Sequence, residues 1–157
     1  MDNAQCYLGL GTNLGDKRAN LFQAIGEIEK RIGRKVCLSS FYETEPWGFA
    51  SENTFLNAVV CIETELSPTE LLQQTQAIEQ EMGRAHKSVN GAYSDRLIDI
   101  DILLMGDLML QTPNLTIPHA LMHQRLFVME PLVEIAPEVI HPVLHQSVCQ
   151  IYNALKH

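Results

Sequence analysis

The period of the apolar positions changes several times along the chain, and each change marks an element. Residues 4–11 are mostly apolar and end in glycines, which predicts a first strand. Asp16 stands where a helix cap belongs. Leu21, Ala24, Ile25, Ile28 and Ile32 then keep helical spacing, and Gly33 is placed to end the helix. Residues 35–44 alternate as a strand, and residues 45–52 read as a loop. Residues 53–64 alternate again, with Phe55, Asn57, Val59 and Cys61 on one face and Leu56, Ala58, Val60 and Ile62 on the other.

Ser67-Pro68-Thr69-Glu70 is a helix start: serine caps, proline takes the first helical position, and glutamate closes a capping box. Leu71, Leu72, Thr75, Ile78 and Met82 give the buried stripe, and Gly83 ends it. A polar stretch, 84–95, leads into Arg96-Leu97-Ile98-Asp99-Ile100-Asp101-Ile102-Leu103-Leu104, which alternates as a strand. The resulting order, β-α-β-β-α-β, predicts an α+β fold with a ferredoxin-like core. Its antiparallel sheet carries both helices on one face and leaves the other for a site or further helices. The remainder is rich in proline until residue 142 and predicts additional C-terminal helices, the last carrying Leu144, Val148, Ile151, Tyr152 and Leu155. No repeat, linker or low-complexity segment interrupts the chain, so residues 1–157 are read as a single domain.

The strand at 96–104 also carries the first chemical signal. Ile98, Ile100 and Ile102 face one way, and Asp99 and Asp101 lie side by side on the other. Two carboxylates that close repel each other and lose hydration if covered. Either the strand has a polar outer face in water, or the pair holds a cation. Mg²⁺ fits, since it is commonly held by one or two carboxylates together with substrate phosphates. Arg84, His86, Lys87 and Arg96 lie just upstream. Alone they read as a solvated loop; beside the carboxylates they suit phosphoryl transfer, with residues 85–95 as a lid.

Other groupings carry less. His119 and His123 stand four apart, but no third soft ligand accompanies them, so zinc is not expected. His141 and His145 share that spacing around Pro142 and read as surface residues. Gly9-Leu10-Gly11-Thr12-Asn13-Leu14-Gly15 matches neither nucleotide-loop pattern and reads as a tight turn. Phe55 and Asn57, with Thr44 and Trp47 nearby, make either a pocket for a flat heterocycle or plain core.

The net charge of −8 argues against a general nucleic-acid binder but leaves room for a nucleotide held by a local cationic cluster. The four cysteines are dispersed and form no C-x-x-C, so they read as reduced core residues and the compartment as cytoplasmic. No apolar run reaches membrane-span length and no signal peptide is visible.

Over nearly its whole length the chain resembles the 6-hydroxymethyl-7,8-dihydropterin pyrophosphokinases of folate biosynthesis. The resemblance runs through Gly11-Thr12-Asn13-Leu14-Gly15, Ser40-Phe41-Tyr42-Glu43-Thr44, Phe55-Leu56-Asn57-Ala58 and Ile78-Glu79 with Gly83-Arg84. It continues through Asp95-Arg96-Leu97-Ile98-Asp99-Ile100-Asp101, Ile117-Pro118-His119, Arg125-Leu126-Phe127 and the segment from Pro131 to Glu138. The resemblance implies transfer of the β,γ-pyrophosphoryl group of ATP to the pterin hydroxymethyl oxygen, with release of AMP. It implies two Mg²⁺ ions on Asp99 and Asp101, and Arg84 and Arg96 as stabilisers of the transferring group. Leu72, Gln76, Glu79, Ile102, Thr116, His119 and Arg125 would line the ATP site together with those arginines. Phe55 and Phe127 would sandwich the pterin, Thr44 and Asn57 would read its edge, and Trp47 and Tyr93 would complete the pocket. Phe55 stands where a tyrosine is common, His86 where some members have arginine, and Tyr93 where some have tryptophan. The substrates expected are therefore ATP and the pterin alcohol, with no nucleic acid and no membrane. Two alternatives stand beside this: another Mg²⁺-dependent nucleotide-using transferase, and a non-catalytic ferredoxin-like binding module.

Overall fold

Gly9 and Gly11 are not turn residues: they lie inside the central strand of the sheet. The computed structural model describes residues 4–44, 54–83 and 97–156. Strand β1 (Ala4–Thr12) pairs antiparallel on one side with β4 (Phe55–Thr64) and on the other with β5 (Asp99–Met105). Strands β2 (Gly33–Leu38) and β3 (Tyr42–Thr44) both pair with the outer side of β4, so the main path runs β2-β4-β1-β5. The strand expected over 35–44 is thus two pieces. Residues 39–41 leave the ladder, although the Ser39 amide still donates to the Val59 carbonyl at 2.9 Å and the Val59 amide to Ser39 Oγ at 2.9 Å.

Helices α1 (Lys17–Arg31) and α2 (Pro68–Gly83) start as their caps predict. Asp16 accepts from the Ala19 amide at 3.1 Å. The Ser67–Glu70 box closes both ways, at 2.9 and 3.2 Å. Both helices cover one face of the sheet, where Leu21, Ile25 and Ile28 of α1 and Leu71 and Ile78 of α2 meet Leu8, Leu10, Val60, Ile62, Ile100 and Ile102. Gly33 does not end α1 by a left-handed turn. It opens β2, where a Cβ would fall 2.1 Å from the Glu63 carbonyl oxygen, so its job is close strand approach.

The opposite face is divided. At one end Tyr7, Val59, Cys61, Leu103 and Leu104 are covered by α3 (Leu126–Ile135) and α4 (Val148–Lys156) through Val128, Met129, Leu132, Val148 and Ile151. An irregularity in the β1–β5 register between Tyr7 and Leu8 leaves Leu103 without a partner residue on β1 and turns both Leu103 and Leu104 into that cluster. The other end carries Gly9, Gly11, Phe55, Asn57, Asp99 and Asp101. A small hairpin, β6 (Leu110–Gln111) and β7 (Thr116–Ile117), and a 3-10 turn at Met122–Gln124 connect β5 to α3.

Two expectations about the C-terminal region fail. Leu144 precedes α4 and is not part of its stripe. His141 is buried, at 4% exposure, because its Nδ1 accepts from the amides of Val143 and Leu144 and ties the chain into a turn. His145 is exposed as expected. All four cysteines are free, with Cys6 and Cys61 buried and Cys37 and Cys149 half-buried. Burial pushes the Cys6 thiol up to about 12 and the Cys61 thiol up to about 11, which suits inert core residues. Among the described residues, no helix is long and apolar enough to cross a membrane.

Candidate active site

Antiparallel pairing brings the predicted groups into one row across the sheet. Gly11 of β1 faces Asn57 of β4 on one side and Asp99 of β5 on the other; Gly9 likewise stands between Val59 and Asp101. Directly paired residues project from the same face. The central strand therefore contributes no side chains here: over Gly9 the space is taken by the Leu103 side chain, 3.4 Å from where a Cβ would stand, and over Gly11 the flanking strands enclose a trough. A Cβ at Gly11 would stand 3.0 Å from Asn57 Oδ1 and 3.6 Å from the Phe55 ring. The missing side chain is what lets those two groups lean over β1. The sequence signal is glycine at alternate positions of an apolar strand; residues 4–11 are read as that strand, while the run Gly9 to Gly15 is also read as a turn, and of its three glycines Gly15 alone, at φ +67°, takes a turn conformation.

The wall on the β4 side is built from β3 and β4 together. Thr44 pairs with Phe55 and Tyr42 with Asn57. Asn57, 5% exposed, donates from Nδ2 to Thr44 Oγ1 at 2.6 Å, which fixes the orientation of its amide. Lys17 Nζ donates to the carbonyl and hydroxyl oxygens of Thr54, at 3.0 and 3.1 Å, and so ties the start of α1 to the entry of β4 beside Phe55.

The wall on the β5 side carries the half-buried Asp99 and Asp101, as period-two alternation predicted. β5 ends the sheet. The Ile100 amide, between the two aspartates, points outward and donates to Glu79 Oε2 of α2 at 2.7 Å. The family resemblance implies a place for Glu79 at the nucleotide; what the structure gives it is a bond that pins the carboxylate-bearing strand. Leu72 and Gln76 lie on α2 two turns and one turn before it, half-buried and exposed respectively. Ile102 does not share the aspartate face: it is 5% exposed in the core beneath α1 and α2.

The end of the trough is closed by the segment after β5. The His119 amide donates to the Leu103 carbonyl at 2.9 Å, and Thr116 lies in β7 two residues before Pro118. His119 Nδ1 accepts from the Leu121 amide at 3.1 Å, which leaves the proton of the neutral ring on Nε2. Burial, then the Arg125 charge, hold its pKa below the ordinary histidine value, against an opposing pull from Asp99. That pattern gathers His119, Arg125 and Asp99 in one neighbourhood. His123 does not join them; its ring packs edge-on to His141 at 6.3 Å. Arg125 is 7% exposed, with its guanidinium 5.6 Å from the Phe127 ring centre. Arg84, His86, Tyr93, Arg96, Trp47 and the expected lid over 85–95 lie outside the described residues.

Among the described residues, no three His, Cys, Asp or Glu side chains are gathered into a metal cage. The donors present are two neighbouring carboxylates. Hard oxygens in that number fit Mg²⁺ held jointly with substrate phosphates and water, and do not fit a closed structural site.

Comparison with known proteins agrees with this geometry. The family model described as 7,8-dihydro-6-hydroxymethylpterin-pyrophosphokinase (HPPK) matches residues 7–137. The 2-amino-4-hydroxy-6-hydroxymethyldihydropteridine pyrophosphokinase of Porphyromonas gingivalis is 53% identical over 137 residues, which is 87% of this chain and 92% of that relative. The protein of the same name from Aquifex aeolicus is 40% identical over 140 residues, 89% of this chain and 85% of that one. Among solved structures, wild-type Plasmodium falciparum HPPK-DHPS with pteroate superposes at TM-score 0.77 and 18% identity. That superposition covers 98% of this chain and 43% of the other, and it is a likeness of fold. Fold and comparisons together define the class, an α+β pyrophosphokinase domain. The chain belongs to the 7,8-dihydro-6-hydroxymethylpterin-pyrophosphokinase family.

Proposed function

We propose that this chain transfers the β,γ-pyrophosphoryl group of ATP to the hydroxymethyl oxygen of 6-hydroxymethyl-7,8-dihydropterin, with AMP as the leaving group, as a step of folate biosynthesis. The alcohol oxygen bonds to the β-phosphorus, the bond from that phosphorus to the AMP oxygen breaks, and the alcohol proton is released. The observation that carries the reading is the row Asn57–Gly11–Asp99, which sets a ring-binding wall opposite a carboxylate wall across a bare strand.

Each chain residue then has a defined task. Phe55 and Phe127 stack on the pterin, and Thr44 and Asn57 read its polar edge, with the Asn57 amide already oriented by Thr44. Trp47 and Tyr93 are assigned to the same pocket on the family resemblance. Asp99 and Asp101 are the residues that would hold Mg²⁺, two ions in the family pattern. When bound, Mg²⁺ supplies charge neutralisation and alignment of the triphosphate. Arg84 and Arg96 neutralise charge that builds on the transferring group. His119, kept neutral by burial and by Arg125, is a hydrogen-bond donor through Nε2, and Arg125 adds fixed positive charge. Thr116, Leu72, Gln76 and Glu79 are assigned to the nucleotide. Ile102 supports that site from within the core.

The strand order β2-β4-β1-β5 supports assignment to the ferredoxin-like arrangement, over one domain spanning residues 1–157. One assay separates this reading from its rivals: nucleotide products from ATP and Mg²⁺, with and without the pterin alcohol. AMP formed only with the pterin is the expected result. ADP formation, or no turnover at all, overturns the assignment.

A further inference from the structure

Glu134 lies outside every role assigned so far, yet its carboxylate takes three donors from a distant stretch of chain. Tyr42 Oη donates to Oε1 at 2.7 Å, the Ser40 amide to Oε1 at 2.9 Å, and Ser40 Oγ to Oε2 at 2.9 Å. Burial alone would raise its pKa, but the hydrogen bonds from Tyr42 and Ser40 outweigh that and hold it below the usual carboxylate range. The Tyr42 hydroxyl is pushed up to about 12, first by its bond to Glu134. The acceptor therefore stays ionised and the donor stays protonated across the physiological range.

Each clasped element carries one residue of the proposed pterin pocket. Phe127 is seven residues before Glu134 on α3, two turns along the same stripe of the helix. Thr44 is two residues after Tyr42, on the same face of β3. α3 does not need the clasp to stay on the sheet, because Val128, Met129 and Leu132 already anchor it in the core. β3 is different. It is three residues long and pairs with β4 alone, and the residues before it have left the ladder.

We infer that Glu134 is a positioning residue that fixes β3 against α3 and so sets the gap between the Thr44–Asn57 wall and Phe127; this rests on those residues being the pterin contacts. The test is calorimetric titration of the pterin alcohol in the presence of a non-hydrolysable ATP analogue, and of the analogue alone. Glu134→Ala should raise the pterin Kd about tenfold and leave the analogue Kd within about twofold. Glu134→Gln keeps one acceptor oxygen and should fall between. Tyr42→Phe should weaken pterin binding by itself but add little on top of Glu134→Ala, because both remove the same clasp. A folded Glu134→Ala variant with unchanged pterin affinity, or with pterin and nucleotide weakened alike, overturns the inference. If Glu134→Ala does not fold, Tyr42→Phe decides: unchanged pterin affinity there overturns it too. If the wild type binds no pterin, the pocket assignment fails instead. The clasp is then read by amide exchange in Glu134→Ala: faster exchange confined to β3 supports it, and unchanged exchange removes it.

Discussion

Replacing Glu79 by alanine should loosen β5 at the point where it carries Asp99 and Asp101. The Ile100 amide donates to Glu79 Oε2 at 2.7 Å from the outer side of an edge strand. A hydrogen bond to a charged group contributes about 1.5–3 kcal/mol, and because Glu79 is half-buried the lower part of that range, about 1.5–2 kcal/mol, applies. For a chain of this size each kcal/mol moves Tm by about 2–4 °C, so Glu79→Ala should lower Tm by about 3–8 °C. Glu79→Gln keeps a neutral acceptor and should lose about half as much. The site-specific readout is hydrogen exchange at Ile100, which should accelerate in Glu79→Ala while amides of β1 and β4 keep their protection. Because the loosened residue sits between the two aspartates, the Mg²⁺ concentration for half-maximal AMP release should also rise. A Glu79→Ala protein with Ile100 exchange unchanged and Tm within about 1 °C of wild type would refute the reasoning.

Three further outcomes are expected. Asp99→Asn and Asp101→Asn should each abolish AMP release without lowering Tm, since both remove like-charge repulsion on one strand face; near-normal turnover at saturating Mg²⁺ would remove them as ligands. Phe127→Ala should weaken pterin binding by about one to two orders of magnitude and leave ATP-analogue binding nearly unchanged, as calorimetry would read. His141 has its pKa held below the ordinary histidine value by burial and then by His123, so folding favours its neutral form. That stability is fully present above about pH 6.5 and is lost as pH falls through the depressed folded value; urea midpoints should fall over that window in wild type and less steeply in His141→Asn, and equal slopes would dismiss the linkage.

What the sequence made legible were features written within one element. Period-two alternation put Asp99 and Asp101 on one face and Phe55 with Asn57 on one face. Ser67, Pro68 and Glu70 marked the start of α2 to the residue. What it hid depended on partners far away in the chain. Gly33 looked like a helix stop because its real constraint, the Glu63 carbonyl, is thirty positions downstream. Gly9 and Gly11 looked like a turn because their value appears only when β4 and β5 stand on either side. His141 looked like a surface residue because the two amides that bury it come from a local turn with no periodic signature. Glu134 carries no local signature because its partners, Ser40 and Tyr42, lie 94 and 92 positions away in the chain.

The bare central strand also acts as a ruler. From the β4 wall to the β5 wall is two strand spacings, about 10 Å, a length set by backbone hydrogen bonds that no side-chain movement can alter. A ring held by its edge over β4 must present its reacting oxygen at that fixed reach, so discrimination among alcohols rests on the length of the arm as well as the identity of the ring. A pterin carrying a hydroxyethyl arm should therefore bind nearly as well as the hydroxymethyl compound and release AMP far more slowly; equal turnover of the two would mean that the sheet does not do the measuring.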